Sequence, residues 1–110
     1  MTKTYNPFDL DKPTYTLGDS REYILGDITE SRRKRMEKLS ATFEAMPEDS
    51  EPLAHVEAIA ELIEAATENS EGVKLRIVEL YTSEKIGMKS LTGLASFVQE
   101  WLIGEVEAGN

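Results

Sequence analysis

Glu57, Glu61, Glu64 and Glu68 recur at i, i+4, i+7 and i+11. At about 100° per residue they would line one sector of a helix. Paired carboxylates perform general acid–base chemistry when a cleft separates their pKa values; a stripe on an exposed helix stays solvated. His55 is the only histidine, and there is no cysteine. It therefore lacks the usual companions for a metal site, and no serine–histidine–aspartate ordering accompanies it. A structural or solvent-exposed role is expected. The segment PEDSE, Pro47 to Glu51, gathers acid but lacks the spacing and the glycine of a calcium-binding loop. Gly18 and Gly72 are isolated, so no glycine-rich phosphate loop is present. No nucleophile, base and orienting group form a set. The expectation is a non-enzymatic protein with no catalytic residue, no metal and no cofactor.

The second chemical feature is basic. The run from Ile28 to Leu39, ITESRRKRMEKL, holds five of the 12 lysines and arginines in a chain of formal charge −9. On a helix, Arg32 falls on the meridian of Met36, Leu39, Phe43 and Met46, and Arg35 on its flank. Arg33, Lys34 and Lys38 scatter over the remaining surface. A DNA-tracking helix gathers its cations on one exposed stripe, whereas these encircle the helix. From Glu44 to Gly72 there are nine acidic residues and no lysine or arginine. Four glutamates on one face repel unless something positive is near. A short connection makes antiparallel packing the expectation for these two helices, which would set Arg35 near Glu61 and Arg32 near Glu64. An internal charge match, with at least one of the two arginines in salt-bridge reach of the stripe, is the favoured reading. A contact with an acidic or helical protein partner and a nucleic-acid or nuclear-localisation signal are the other two.

The bulk properties narrow the class. With 110 residues the chain suits one modest core. Its 40% hydrophobic and 30% charged composition is that of a globular domain. A pI near 4.6 opposes binding to polyanions. No apolar run approaches the roughly 18 residues that span a bilayer, and MTKTYNPFDLDKP lacks the apolar segment of a secretory signal. A soluble intracellular protein is expected, with no nucleic-acid and no membrane partner.

The elements that must position these groups follow from periodicity. Residues 1–13 read as an extended arm, interrupted by Pro7 and Pro13 and anchored only by Tyr5, Phe8 and Leu10. Thr14 to Leu17 and Glu22 to Leu25 alternate Tyr15/Leu17 and Tyr23/Leu25 around a turn at Gly18, Asp19 and Ser20, which predicts a β-hairpin at 14–25. The first long helix is expected after Asp27, capped by Asp27 with Glu30, and ended by Pro47. The second follows Ser50, with Leu53, Val56, Ile59, Ala60, Ile63 and Ala66 at helical spacing, and ends at Asn69, Ser70 and Gly72. Val73 to Tyr81 permits a strand or a helix; a short helix is favoured, its face formed by Leu75, Val78 and Thr82. Gly87 breaks the chain. A last helix is expected from a cap at Ser90, with Leu91, Leu94, Ala95, Val98, Trp101 and Leu102 on its stripe and with Gly104 and Gly109 loosening its end. The predicted fold is mainly α with a small N-terminal β-hairpin and about four helices in one compact domain, residues 14–107, followed by a flexible tail at 108–110. On that stripe Trp101 reads as core before partner anchor.

This order of segments resembles a known family. A PFDLD arm, the short β pair YTLGDSREYIL, the charged helix SRRKRMEKL, the acid-rich pair VEAIAELIEAATENSEGVKLRIVEL and the closing LTGLASFVQEWLIGE resemble the small tail assembly chaperone of long-tailed bacteriophages, especially those infecting actinobacteria. The closing W-L-x-G-E and the acidic helix pair carry most of the likeness. The resemblance implies a small, mostly helical protein in the host cell cytoplasm. It implies that the protein coats the tape measure protein until tail tube subunits polymerise around it, and that a frameshifted longer product shares its N-terminal domain. The partners implied are the tape measure protein and the tail tube protein. An apolar groove rimmed by charge would hold the partner helix, and Tyr5 and Phe8 would clasp a partner or, by self-association, a neighbouring copy. The partner-binding candidates are Tyr5, Phe8, Arg33, Lys34 and Trp101. The alternative function is a small acidic inhibitor or DNA mimic that blocks a host nucleic-acid-binding enzyme with its glutamate stripe.

Overall fold

A computed structural model describes the backbone of residues 12–108 and the side chains of residues 12–104. Two short strands, β1 (Thr14–Thr16) and β2 (Glu22–Ile24), precede four helices: α1 (Glu30–Glu44), α2 (Pro52–Ala66), α3 (Val73–Thr82) and α4 (Met88–Ala108). The mainly α architecture with a small N-terminal hairpin is the one the patterns predict.

The hairpin is antiparallel, with Tyr15 opposite Tyr23 and their rings stacked at 5.2 Å. Gly18, at φ 78°, supplies the turn conformation that a side chain would resist. Tyr15, Leu17, Tyr23 and Leu25 are all buried, as their alternation predicts. Two strands alone are marginal in water, and here the chain leaving α2 joins them. Leu25 and Thr67 form an isolated antiparallel bridge. Gly26 N–H donates to Ala66 O at 2.9 Å, and Glu68 N–H to Ile24 O at 2.7 Å. Asn69 continues the seam: its Oδ1 accepts from Ile24 N–H and its Nδ2 donates to Glu22 O, both at 2.9 Å. The end of the expected arm also belongs to the body. Leu25 N–H donates to Pro13 O at 3.0 Å, and Lys12 pairs with Glu68 at 3.2 Å and Asp27 at 3.7 Å. The expectations for Tyr5 and Phe8 lie outside the described residues.

α1 and α2 pack antiparallel. The Arg32 side chain at the start of α1 reaches Ala65 near the end of α2, and at the other end Phe43 meets His55 edge-on at 5.7 Å. The cap of α1 is Thr29, whose Oγ1 accepts from Arg32 N–H at 3.2 Å. The expected Asp27–Glu30 capping box does not form, because Asp27 lies two residues too early and gives its backbone carbonyl to Thr29 N–H and to the Arg32 guanidinium. α2 opens with Pro52 at its first position, where the missing N–H costs nothing. It ends at Ala66, before Asn69, since Thr67 turns extended to meet β2. Val56, Ile59, Ala60, Ile63 and Ala66 are buried as their spacing predicts, whereas Leu53 in the first turn of the same expected stripe is exposed and Leu62, outside it, is buried, since α2 contacts each of the other three helices and buries a wider face.

α3 is a helix, but rotated from the expected face. Val73, Ile77 and Leu80 are buried, while Leu75 is 67% exposed and Thr82 is exposed. Turning Leu75 inward would carry Glu79, one turn on, toward the core; the Val73–Ile77–Leu80 meridian carries no charge. α3 closes with a left-handed residue. Lys85 N–H donates to Leu80 O at 2.9 Å and Glu84 N–H to Tyr81 O at 3.0 Å, the paired bonds of a Schellman cap. Glu84 sits at φ 60° where glycine is the usual occupant. An L-residue there costs about 1–2 kcal/mol, part of which glycine gives back as unfolded-state entropy. Glu84→Gly is therefore expected to stabilise the domain by about 0.5–1 kcal/mol, read as a raised urea midpoint. A lowered midpoint would mean that the Glu84 side chain contributes more than its backbone costs.

α4 starts at Met88, two residues before the expected cap at Ser90, and Leu91 N–H donates to Gly87 O at 3.2 Å. It passes through Gly104 and includes Ala108, the first residue of the expected tail. One helical glycine costs about 1 kcal/mol, too little to break a helix of 21 residues. Among its described side chains Leu91, Val98 and Leu102 are buried.

Candidate partner-binding groove

α1, α2 and α4 leave an open groove of about 440 Å³ between them. α1 contributes Ser40, Phe43 and Glu44; α2 contributes Ala58, Ile59 and Leu62; α4 contributes Thr92, Ala95, Ser96, Gln99, Glu100 and Ile103. On α4 the positions 92, 95, 96, 99 and 103 follow the i, i+3, i+4 rule and make one stripe. Ala58, Ala95 and Ser96 are too small to fill the space. Gln99 Nε2 donates to Ser40 Oγ at 2.9 Å and ties α4 to α1 across it. Ile103 stands 54% exposed at the edge. Glu44 and Glu100 are its only charged lining residues among those described.

The basic run is used differently from the expected charge match. Arg33 pairs with Glu37 at 3.0 Å and Lys34 with Glu30 at 3.2 Å, each one turn along α1. Exposed pairs of this type contribute about 0–1 kcal/mol. Arg32 does face α2, but it donates from Nε to Ala65 O at 3.1 Å and from Nη1 to Asp27 O at 2.7 Å. Neither Arg32 nor Arg35 forms a salt bridge with Glu57, Glu61, Glu64 or Glu68. The last carbonyls of a helix have no partner within it, and the guanidinium fork suits such fixed acceptors. Arg32 thus closes the C-terminal end of α2. Arg32 and Arg35 line an open polar cleft of about 480 Å³ together with Glu64 and Glu68.

The stripe finds its countercharge elsewhere. Lys74 Nζ lies 2.6 Å from Glu61 Oε1, and this hydrogen bond holds the lysine pKa above its usual range against the opposing effect of burial. Glu64 Oε2 accepts from Lys74 N–H at 2.9 Å. It thereby caps α3, whose own cap residue Gly72 has no side chain to offer. Glu68 takes Lys12. Lys74 is the first cation after nine acids, the one signal in the sequence that pointed to this pairing. Arg21 lies 4.6 Å over the Tyr23 ring and donates to Glu71 O at 2.8 Å and to Asn69 O, which fastens the α2–α3 connection to the hairpin. The Tyr23 hydroxyl donates to Asp19 Oδ2 at 2.8 Å and holds that carboxyl below its usual range.

The candidates separate accordingly. Trp101 is half-buried on the core, and its Nε1–H donates to Gly26 O at 2.9 Å. That is the bond of a residue locking α4 to the hairpin. Arg33 and Lys34 lie on α1, each tied to a carboxylate of its own helix. The groove residues were missed as a set because three helices contribute them. Among the described residues no group of three or more metal-ligating side chains is arranged to hold an ion, and no helix is long and apolar enough to cross a membrane. No protein-family model matches the chain, and no curated protein and no solved structure matches it either.

Proposed function

We propose that this protein is a non-enzymatic tail assembly chaperone of a long-tailed bacteriophage, binding the tape measure protein in the host cytoplasm and keeping it soluble. The observation that carries the reading is the open apolar groove between α1, α2 and α4, rimmed by Glu44 and Glu100. The order of sequence segments described above supplies the identity of the partner. A protein that binds an aggregating helix shifts it toward the soluble complex by mass action, and an apolar groove engages such a helix through its i, i+3, i+4 and i+7 positions. A charge of −9 on each bound copy keeps the assembly dispersed.

The acidic-inhibitor alternative draws on the glutamate stripe. Glu61, Glu64 and Glu68 are engaged by Lys74 and Lys12, so most of that stripe is committed within the fold, and no observation favours this alternative. Co-expression tests the proposal. A tape measure fragment that is insoluble alone is expected to move to the soluble fraction with this protein. Unchanged insolubility, together with inhibition of a host DNA-binding enzyme, would establish the alternative.

A further inference from the structure

We infer that the groove between α1, α2 and α4 takes one face of a foreign amphipathic helix whose apolar stripe is bordered by lysine or arginine. The inference rests on the reading of the protein as a chaperone of helices and adds the site and the charge of the partner. Charge complementarity carries it. Among the described residues, the charged groups lining the groove are two carboxylates, Glu44 on α1 and Glu100 on α4, with no cation among them. Apart from Gln99, the rest of the described lining is apolar or small, with Phe43, Ile59, Leu62 and Ile103 providing the larger surfaces. A helix with acidic borders would set like charges against both rims as it entered; one with basic borders would gain on both sides.

Two other occupants fit less well. Residues 1–11 bring Asp9 and Asp11 against one lysine, Lys3, the wrong sign for this rim. A second copy brings another −9. Its exposed large apolar residues among those described are Leu53, Leu75 and Ile103, on three different helices. Leu75 has Glu79 one turn on along α3. The exposed cations of α1, Lys34, Arg35 and Lys38, have no exposed large apolar residue beside them on that helix.

The test uses two short labelled model helices with the same leucine stripe, one bordered by lysine and one by glutamate. Each is titrated with the full chain and followed by fluorescence anisotropy. The lysine-bordered helix is expected to bind about tenfold more tightly, the effect of roughly two exposed charge pairs. Glu44→Lys combined with Glu100→Lys is expected to reverse that preference. Ser96→Trp, which fills the groove from an exposed position, is expected to abolish binding of both peptides. Thr92→Trp, one turn earlier, repeats the block should the first variant fold poorly. Equal binding of the two peptides, or a preference that survives charge reversal, overturns the charge assignment. Binding that withstands both tryptophans overturns the groove. A dimer that Ser96→Trp dissociates, or binding that appears only after deletion of residues 1–11, assigns the groove to a second copy or to the arm and overturns the foreign helix. A folded Ser96→Trp variant that still solubilises the tape measure fragment overturns this site and leaves the chaperone reading standing. A wild-type chain that binds the lysine-bordered helix but leaves the fragment insoluble does the opposite.

Discussion

Trp101→Ala is expected to lower the stability of the domain by about 3 kcal/mol, the lower end of the range for removing a large aromatic from a core. Two losses combine. The half-buried indole leaves a void against the core residues it packs on. The carbonyl of Gly26, a buried residue, loses the Nε1–H bond of 2.9 Å, and a buried acceptor left without a partner costs about 1–3 kcal/mol. Against a total stability of about 5–15 kcal/mol for a domain of this kind, the loss is large. Trp101→Phe keeps much of the ring and removes only the bond, so it is expected to cost about 1–2 kcal/mol. Urea unfolding of the three proteins checks the series. A Trp101→Ala protein as stable as the parent, but deficient in binding the tape measure fragment, would return Trp101 to the role of partner anchor.

Between about pH 10 and about pH 12 the domain is expected to lose about 3 kcal/mol of stability through Tyr15. Burial pushes this phenol from 10.0 up to about 12, with the Thr67 hydrogen bond a smaller opposing effect. Thr67 is itself buried. Its hydroxyl donates to Ile63 O at 2.7 Å and accepts from the Tyr15 hydroxyl at 2.6 Å. Above pH 10 the unfolded chain loses the Tyr15 proton while the folded chain keeps it, so the unfolded state binds fewer protons and stability falls as pH rises. Below pH 10 both states are protonated and the Tyr15 contribution is fully present. Tyr23, also raised by burial and by its bond to Asp19, acts in the same direction. Unfolding midpoints measured at about pH 8 and about pH 11 are expected to drop more for the parent than for Tyr15→Phe. Equal drops would show that the alkaline loss arises elsewhere.

Much of the fold was legible because it is written in neighbouring residues. The alternation Tyr15/Leu17 and Tyr23/Leu25 became the buried face of the hairpin, and the 3.6-residue repeat from Val56 to Ala66 became the buried stripe of α2. α3 shows the limit of such patterns. Its helical nature followed from local spacing, but its rotation was set by which meridian could be buried without a charge, and Val73, Ile77 and Leu80 displaced Leu75. The charge pairing shows a second limit. Opposite charges on adjacent helices suggested contact, yet Arg32 took the carbonyl at the end of α2 and the glutamates took Lys74 and Lys12. Composition records how many charges there are; it does not say which acceptor lies closest or most buried.

By itself the sequence determined the class and order of the elements, the apolar positions of the hairpin and most of those of α2, from Val56 to Ala66, and an acidic chain without cysteine. These are properties of composition and of residues within a turn or two of each other. Only the tertiary structure decided that Thr67 extends the hairpin through β2, that Glu64 caps α3, and that Trp101 closes on Gly26 across 75 positions. It also decided the groove, where Gln99 meets Ser40 across 59 positions. A cleft is the space left between surfaces, and three helices brought together from distant parts of the chain create it only once their packing angles and small side chains are set.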